Sequence, residues 1–121
     1  MEIFCRQQCD YLVLEEVVYK KTSTSFENDR YVMYMSVALD ERPFHFPAQG
    51  RPLGVEIREY REHSESPELL FAPFENLKSV FSYLSNDYLD IHGQEYERLD
   101  SELDQDRHMY VVYVRPTGVS L

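Results

Sequence analysis

The chain has 121 residues, a formal net charge of −10 at pH 7, ten tyrosines, seven phenylalanines and no tryptophan. Its length predicts one domain over residues 1–121, with a core large enough to need no metal or disulfide. The negative charge opposes binding to nucleic acid or to an anionic membrane surface, and no segment approaches the roughly 18 consecutive apolar residues of a membrane-spanning helix. We therefore expect neither nucleic acid nor membrane among its partners.

The N-terminal sequence has no basic stretch followed by an apolar run, so it does not resemble a secretory signal. We therefore expect a cytoplasmic protein in which Cys5 and Cys9 are reduced thiols. A disulfide between them is the alternative, although it would close a very short loop and add little stability. A zinc site would need a second pair of ligands, and none follows, so we expect no metal and no cofactor.

The first part of the chain predicts strands. Residues 11–20 have apolar side chains at both parities around Glu15 and Glu16, which favours a strand, with a helix as the rival interpretation. The polar residues 20–29 predict a turn or a hairpin loop. Residues 30–39 are apolar at both parities, which is typical of a strand in the middle of a sheet.

The middle of the chain predicts one further strand between two irregular stretches. Residues 40–54 contain three prolines and two glycines, which predict a long irregular connection. Residues 55–61 alternate, which predicts a strand whose wet face carries Glu56 and Arg58. Residues 63–68 are polar and predict another break.

From Pro73 onwards the apolar period changes from two residues to that of a helix. A first helix is predicted to begin at Pro73, where a missing N–H costs nothing. Its apolar face consists of Phe74, Leu77, Phe81, Leu84 and Tyr88. A weaker second helix is predicted over residues 94–104, from the spacing of Tyr96, Leu99 and Leu103.

Residues 108–115 predict a last strand, ended by Pro116 and Gly118, that is buried on both faces and inserts beside an earlier strand. Runs of strands followed by helices are typical of an α+β domain. We therefore expect a mainly antiparallel sheet of about four to five strands, with one or two helices packed on one face.

Negative charge is concentrated in residues 85–106, where eight acidic residues are accompanied by one basic residue, Arg98. Such a field attracts cationic protein surfaces and raises the encounter rate, with an affinity that falls as salt rises. We predict a partner-binding surface here, formed by Asp87, Asp90, Glu95, Glu97, Asp100, Glu102, Asp104 and Asp106, with Tyr96 or Tyr88 as aromatic anchors. The alternative is a solvated helix face that only keeps the protein soluble.

Catalytic signatures are weak. The four histidines are scattered, and the sequence has no Walker loop, dinucleotide-binding turn, serine-hydrolase elbow or calcium-binding loop. We expect no catalysis. The alternative is a small enzyme whose site lies at Phe44, His45 and Phe46 on a loop between prolines, or at a pair of carboxylates.

The favoured hypothesis is a small acidic protein-binding module, an inhibitor, antitoxin or immunity protein that covers the basic surface of a toxin or nuclease. This profile of a short, acidic, tyrosine-rich chain is similar to that of bacterial toxin-immunity proteins and phage-encoded inhibitors, although no motif matches a particular family. A further alternative is a structural or assembly subunit, including a homo-oligomer joined through strand edges.

Overall fold

A computed structural model of the protein describes residues 2–41, 51–62, 65–75 and 77–121. Over these residues the chain forms two helices and eight strands. In chain order they are α1 (Glu2–Gln8), β1 (Tyr11–Leu14), β2 (Val17–Glu27), β3 (Arg30–Val37), β4 (Gly54–Glu59), β5 (Glu68–Pro73), α2 (Leu77–Ser85), β6 (Tyr88–Ile91), β7 (Gln94–Asp104) and β8 (Met109–Ser120).

All the described strands belong to one mixed sheet with the order β3-β2-β1-β7-β8-β4-β5, and β6 pairs with the first part of β7. The strand pairs β1–β7 and β4–β8 are parallel, and the other pairs are antiparallel. The predicted α+β fold with four to five mainly antiparallel strands is therefore wrong, because the described residues form one mixed sheet of eight strands and only two short helices.

The segment predicted as a second helix is strand β7, and a bulge explains the error. Tyr96 and Leu103 both pack against the same core, although they are seven residues apart and would face opposite sides of an unbroken strand. The pairing of β7 with β8 shifts between Arg98 and Asp100, where β7 holds one extra residue. Because of that extra residue, Tyr96 and Leu103 lie on the same face of the strand although they are seven residues apart. A spacing of seven residues is also that of two helical turns, which explains why a helix was predicted.

The first two hairpins also differ from the sequence prediction. Residues 11–20 contain two strands, β1 and the start of β2, joined at Glu15 and Glu16, and β2 then continues through most of the predicted loop to Glu27. Strand β3 lies at the edge of the sheet rather than in its middle. Strands β2 and β3 form a mostly exposed hairpin, which we call the β2–β3 ribbon. Polar residues such as Thr24 are compatible with a strand in this exposed position.

Three hairpin turns place two consecutive residues in the left-handed region. This is the backbone of a type I′ turn, whose twist matches that of the flanking strands. The pairs are Glu15 and Glu16 (φ 50° and 64°), Asn28 and Asp29 (φ 49° and 60°), and His92 and Gly93 (φ 54° and 81°).

Helix α2 is shorter than the helix predicted from the apolar pattern. Pro73 ends strand β5 and Tyr88 begins strand β6, so α2 occupies only the middle of the predicted range. Strand β8 confirms the predicted last strand, because it is buried over Met109–Val114 and lies between β7 and β4. It does not end at Pro116 and Gly118 but continues to Ser120.

The main core lies on one face of the sheet, where Cys5 of α1 and Val80 and Leu84 of α2 cluster with residues of β4, β6, β7 and β8. On the opposite face, Met109, Val111 and Tyr113 of β8 form a smaller buried cluster. Two charged residues, Glu56 and Arg58, pair with β8 positions of this second face. They are 1% and 4% exposed, so the predicted wet face of β4 is wrong.

Candidate functional site

Strand β7 places a row of acidic residues on the second face of the sheet. Residues directly opposite each other in neighbouring strands project to the same side. Because Asp100, Glu102 and Asp104 pair with Tyr113, Val111 and Met109, their side chains lie on the face opposite the main core. We call this side, defined by Glu97, Asp100, Glu102 and Asp104 of β7, the acidic face.

The other predicted binding residues have local hydrogen-bond partners. Asp90 accepts a hydrogen bond from the N–H of Gly93 in a hairpin turn, at 3.0 Å. Glu95 accepts from the hydroxyl of Thr117 at 2.9 Å. Asp106 accepts from the N–H groups of Glu15 and Glu16, at 2.7 and 2.9 Å.

Several predicted residues are engaged in ion pairs or in the core. Glu97 is bound by exposed Arg115, Asp104 by Arg107, and Asp87 lies 3.7 Å from Arg98. Of the two proposed aromatic anchors, Tyr96 packs against the main core, and Tyr88 is 60% exposed. The register pairs Asp90 with Glu95 and Tyr88 with Glu97. These side chains therefore lie on the same side of the sheet as the acidic face.

A pocket opens on the acidic face where four neighbouring strands meet. Tyr11 of β1 is the register partner of Glu102, and Asp100 is the partner of Tyr113. Tyr60 follows β4, and its N–H donates to the carbonyl oxygen of Val114. The pocket has a volume of about 90 Å³ and is lined by Tyr11, Val18, Glu41, Tyr60, Asp100, Glu102 and Tyr113. We call it the tyrosine pocket.

Glu102 is the most deeply buried acid of this pocket, with 7% of its surface exposed. The hydroxyl of Tyr113 donates to its Oε2 at 2.9 Å. Burial raises the pKa of Glu102 from 4.5 to about 7, and the negative charge of Asp104 adds to this, while the Tyr113 hydrogen bond and Arg107 oppose it. Burial and the Glu102 charge likewise raise the pKa of Tyr113, so its hydroxyl stays a donor.

The remaining charges around the pocket repel one another. Burial raises the pKa of Asp100, and the charges of Asp10 and Glu41 raise it further. The pKa of Tyr11 is also raised, by burial first and then by Asp100 and Glu41. Because the charges of Asp10 and Glu41 disfavour the ionised form of Asp100, the pocket has a negative potential that a bound cation would reduce.

Beside the pocket, the same face holds a buried ion network. Glu56 accepts hydrogen bonds from Arg58 at 3.1 Å and from Arg107 at 2.9 and 3.2 Å. Burial alone would raise the pKa of Glu56, but the hydrogen bonds and charges of these arginines hold it below its usual value. Since each charge is paired, this network serves the structure rather than a ligand.

Five lining residues were not predicted as site residues: Tyr11, Val18, Glu41, Tyr60 and Tyr113. They are far apart in sequence and meet only because of the strand order β1-β7-β8-β4, which no local pattern reveals. The alternating acids at positions 100, 102 and 104 were the available signal for Asp100 and Glu102.

The alternative catalytic residues Phe44, His45 and Phe46 lie outside the described residues. Within the described ranges, no group of three or more histidine, cysteine or acidic side chains is arranged to hold a metal ion. Cys5 and Cys9 are buried and are not joined by a disulfide, and the Cys9 thiol donates to the carbonyl oxygen of Cys5 at 3.5 Å. Neither described helix is long and apolar enough to cross a membrane.

No protein-family model, no curated protein and no solved structure matches this chain.

Proposed function

We propose that this protein is a small binding module that recognises a basic protein surface through its acidic face. One observation carries the proposal: Asp100, Glu102 and Glu41 converge on an open pocket with three tyrosines. Carboxylates and tyrosines suit protein interfaces, because acids complement a positive partner and tyrosine supplies contact area at low entropic cost. An inhibitor or immunity protein that covers the cationic cleft of a toxin or nuclease is the concrete form of this proposal.

The proposed compartment is the cytoplasm. Cys5 and Cys9 are less than 2% exposed and hold no disulfide, which agrees with a reducing environment. A basic enzyme in the same compartment would be within reach of the acidic face.

The test is a comparison of partner capture by the wild type and two charge-matched variants. Glu41→Gln with Asp100→Asn removes two charges from the pocket, whereas Asp29→Asn with Glu75→Gln removes two exposed charges elsewhere. We expect a basic protein that is retained at low salt, released at high salt, lost by the first variant and kept by the second. Equal retention by both variants would show that the acidic face is not the binding surface.

A second candidate function is acid–base catalysis, favoured by the raised pKa values of Glu102 and Asp100 in one pocket. Carboxylates with displaced pKa values serve as general acids and bases. The pocket volume of about 90 Å³ corresponds to roughly three liquid water molecules, so only a small group of a substrate would fit. Turnover by the wild type that Glu102→Gln abolishes, in a screen of small esters, would favour this function over binding.

A further inference from the structure

The lining of the tyrosine pocket has a specific chemistry. It combines three carboxylates, three tyrosines and one valine, and no lysine or arginine is among its described lining residues. Tyr60 and Tyr113 stand edge to face, with ring centroids 6.1 Å apart and planes at 87°. Aromatic rings beside carboxylates form the typical recognition site for an organic cation, because ring quadrupoles and negative charges attract the same ligand.

The carboxyl group of Glu102 is incompletely satisfied. Its Oε2 accepts from Tyr113, but its Oε1 has no hydrogen-bond partner among the described residues, although the residue is only 7% exposed. This oxygen is not fully buried, because Glu102 lines the open pocket, so a ligand that brings an N–H group can donate to it.

The volume and the side chains of the tyrosine pocket limit the kinds of cation that it can bind. A volume of about 90 Å³ accommodates the end of a side chain rather than a nucleotide or a sugar. The described side chains offer no metal-binding group. A guanidinium fits best, because it is planar, weakly hydrated, stacks on aromatic rings and offers five N–H donors to several carboxylates at once.

The chain already contains one such arrangement. The guanidinium of Arg51 lies 4.7 Å from the ring centroid of Phe71, and its two terminal nitrogens bind the two carboxylate oxygens of Glu68. The segment before β4 and strand β5 therefore show how an arginine, an aromatic ring and a glutamate combine in this fold.

We infer that the tyrosine pocket binds one arginine side chain of the basic partner, with its guanidinium donating to Glu102 and Asp100 beside the exposed ring of Tyr60. This inference rests on the proposed function and specifies which group of the partner is recognised. The surrounding acidic face then supplies long-range attraction, and the pocket supplies specificity.

The experiment titrates the full-length protein with the peptide acetyl-Gly-Arg-Gly-amide, followed by NMR of the tyrosine rings and the glutamate carboxyl carbons. Matched peptides with citrulline or lysine in place of arginine are the controls, since citrulline keeps the shape but not the charge. We expect saturable shifts of Tyr60, Tyr113 and Glu102, with an affinity for the arginine peptide at least about 10-fold above that for either control. Weaker binding by Tyr60→Leu, a change at a 41% exposed position, would confirm the aromatic contribution.

Three results would overturn the inference. These are an absence of saturable shifts, equal binding of the citrulline peptide, and equal binding of the lysine peptide. The proposed function is tested separately, because the Glu41→Gln, Asp100→Asn variant can still lose a basic partner when the arginine peptide does not bind. If neither assay shows binding, both proposals fail.

Discussion

Arg107 donates both terminal nitrogens of its guanidinium to Glu56, a residue 51 positions earlier in the chain. The same guanidinium donates through Nε to Asp104 at 3.0 Å. The turn between β7 and β8 is thereby fixed to strand β4, on the side of the sheet that also carries the tyrosine pocket. Glu56 is 1% exposed, so its negative charge depends on these arginine contacts.

Replacing Arg107 by alanine is expected to destabilise the protein by about 3 kcal/mol, because Glu56 and Asp104 would lose a partner while still buried. Urea denaturation monitored by circular dichroism measures this change. The matched control is Arg115→Ala, which removes an arginine that is 61% exposed from its ion pair with Glu97. That variant should lose less than about 1 kcal/mol, and equal losses in the two variants would show that burial of the network is unimportant.

Glu102 should make the stability depend on pH in a defined direction. Its folded pKa of about 7 lies above the ordinary value of 4.5, so the folded state holds the proton more tightly. The resulting stabilisation is complete below pH 4.5 and is lost as the pH rises through 7. The neighbouring charges of Asp100, Asp104 and Arg107 modulate this behaviour.

The variant Glu102→Gln removes this titration and keeps an acceptor for the Tyr113 hydroxyl. Its stability relative to the wild type should therefore grow between pH 4.5 and 7.5, by about 3 kcal/mol at most, and be nearly constant outside that window. Thermal or urea denaturation of both proteins across this range gives the difference. A difference that does not change with pH would show that Glu102 is ionised as readily in the folded protein as in the unfolded chain.

The sequence predicted some parts of this sheet well, and the failures have physical causes. Strand β8 was predictable because an apolar run buried on both faces is typical of a central strand. Strand β4 was predictable from its alternation, although its wet face was not correct. Strand β7 was not, since its bulge gives Tyr96 and Leu103 a helical spacing. The burial of Glu56 could not be predicted either, because its partner Arg107 is distant in sequence and comes close only in the folded protein.

The candidate site was predictable to the same limited extent. Asp100 and Glu102 were within the predicted acidic surface, because charge concentration is visible in a linear sequence. Asp106 and Asp90 accept backbone N–H groups in hairpin turns, and these contacts depend on a backbone conformation that the sequence does not show. The approach of Tyr11 and Tyr60 depends on strand order, since β1 and β4 flank the β7–β8 pair.

Substitutions in the hairpin turn at Glu15 and Glu16 should increase the stability of the protein. Both residues have positive φ, which costs about 1 kcal/mol for a residue with a side chain, and Asp106 compensates by accepting both N–H groups. The double variant Glu15→Asn with Glu16→Gly should therefore raise the free energy of unfolding by about 1 kcal/mol. Asp106→Ala should lower it by a similar amount. Urea denaturation of the three proteins checks both signs, and a destabilised Asn-Gly variant would contradict this account of the turn.

The outer part of the β2–β3 ribbon should open far more readily than the centre of the sheet. Strand β1 pairs with β2 only over residues 17–20, so residues 23–34 form a two-stranded hairpin with exposed Phe26, Tyr31 and Tyr34. Isolated two-stranded hairpins are marginally stable in water.

We expect backbone amides of residues 24–32 to have protection factors at least about 100-fold below those of residues 110–114 in β8. Hydrogen exchange followed by NMR measures both regions in one sample. Equal protection would mean that another surface covers the ribbon, and sedimentation analysis would then show whether it is a second copy of this chain.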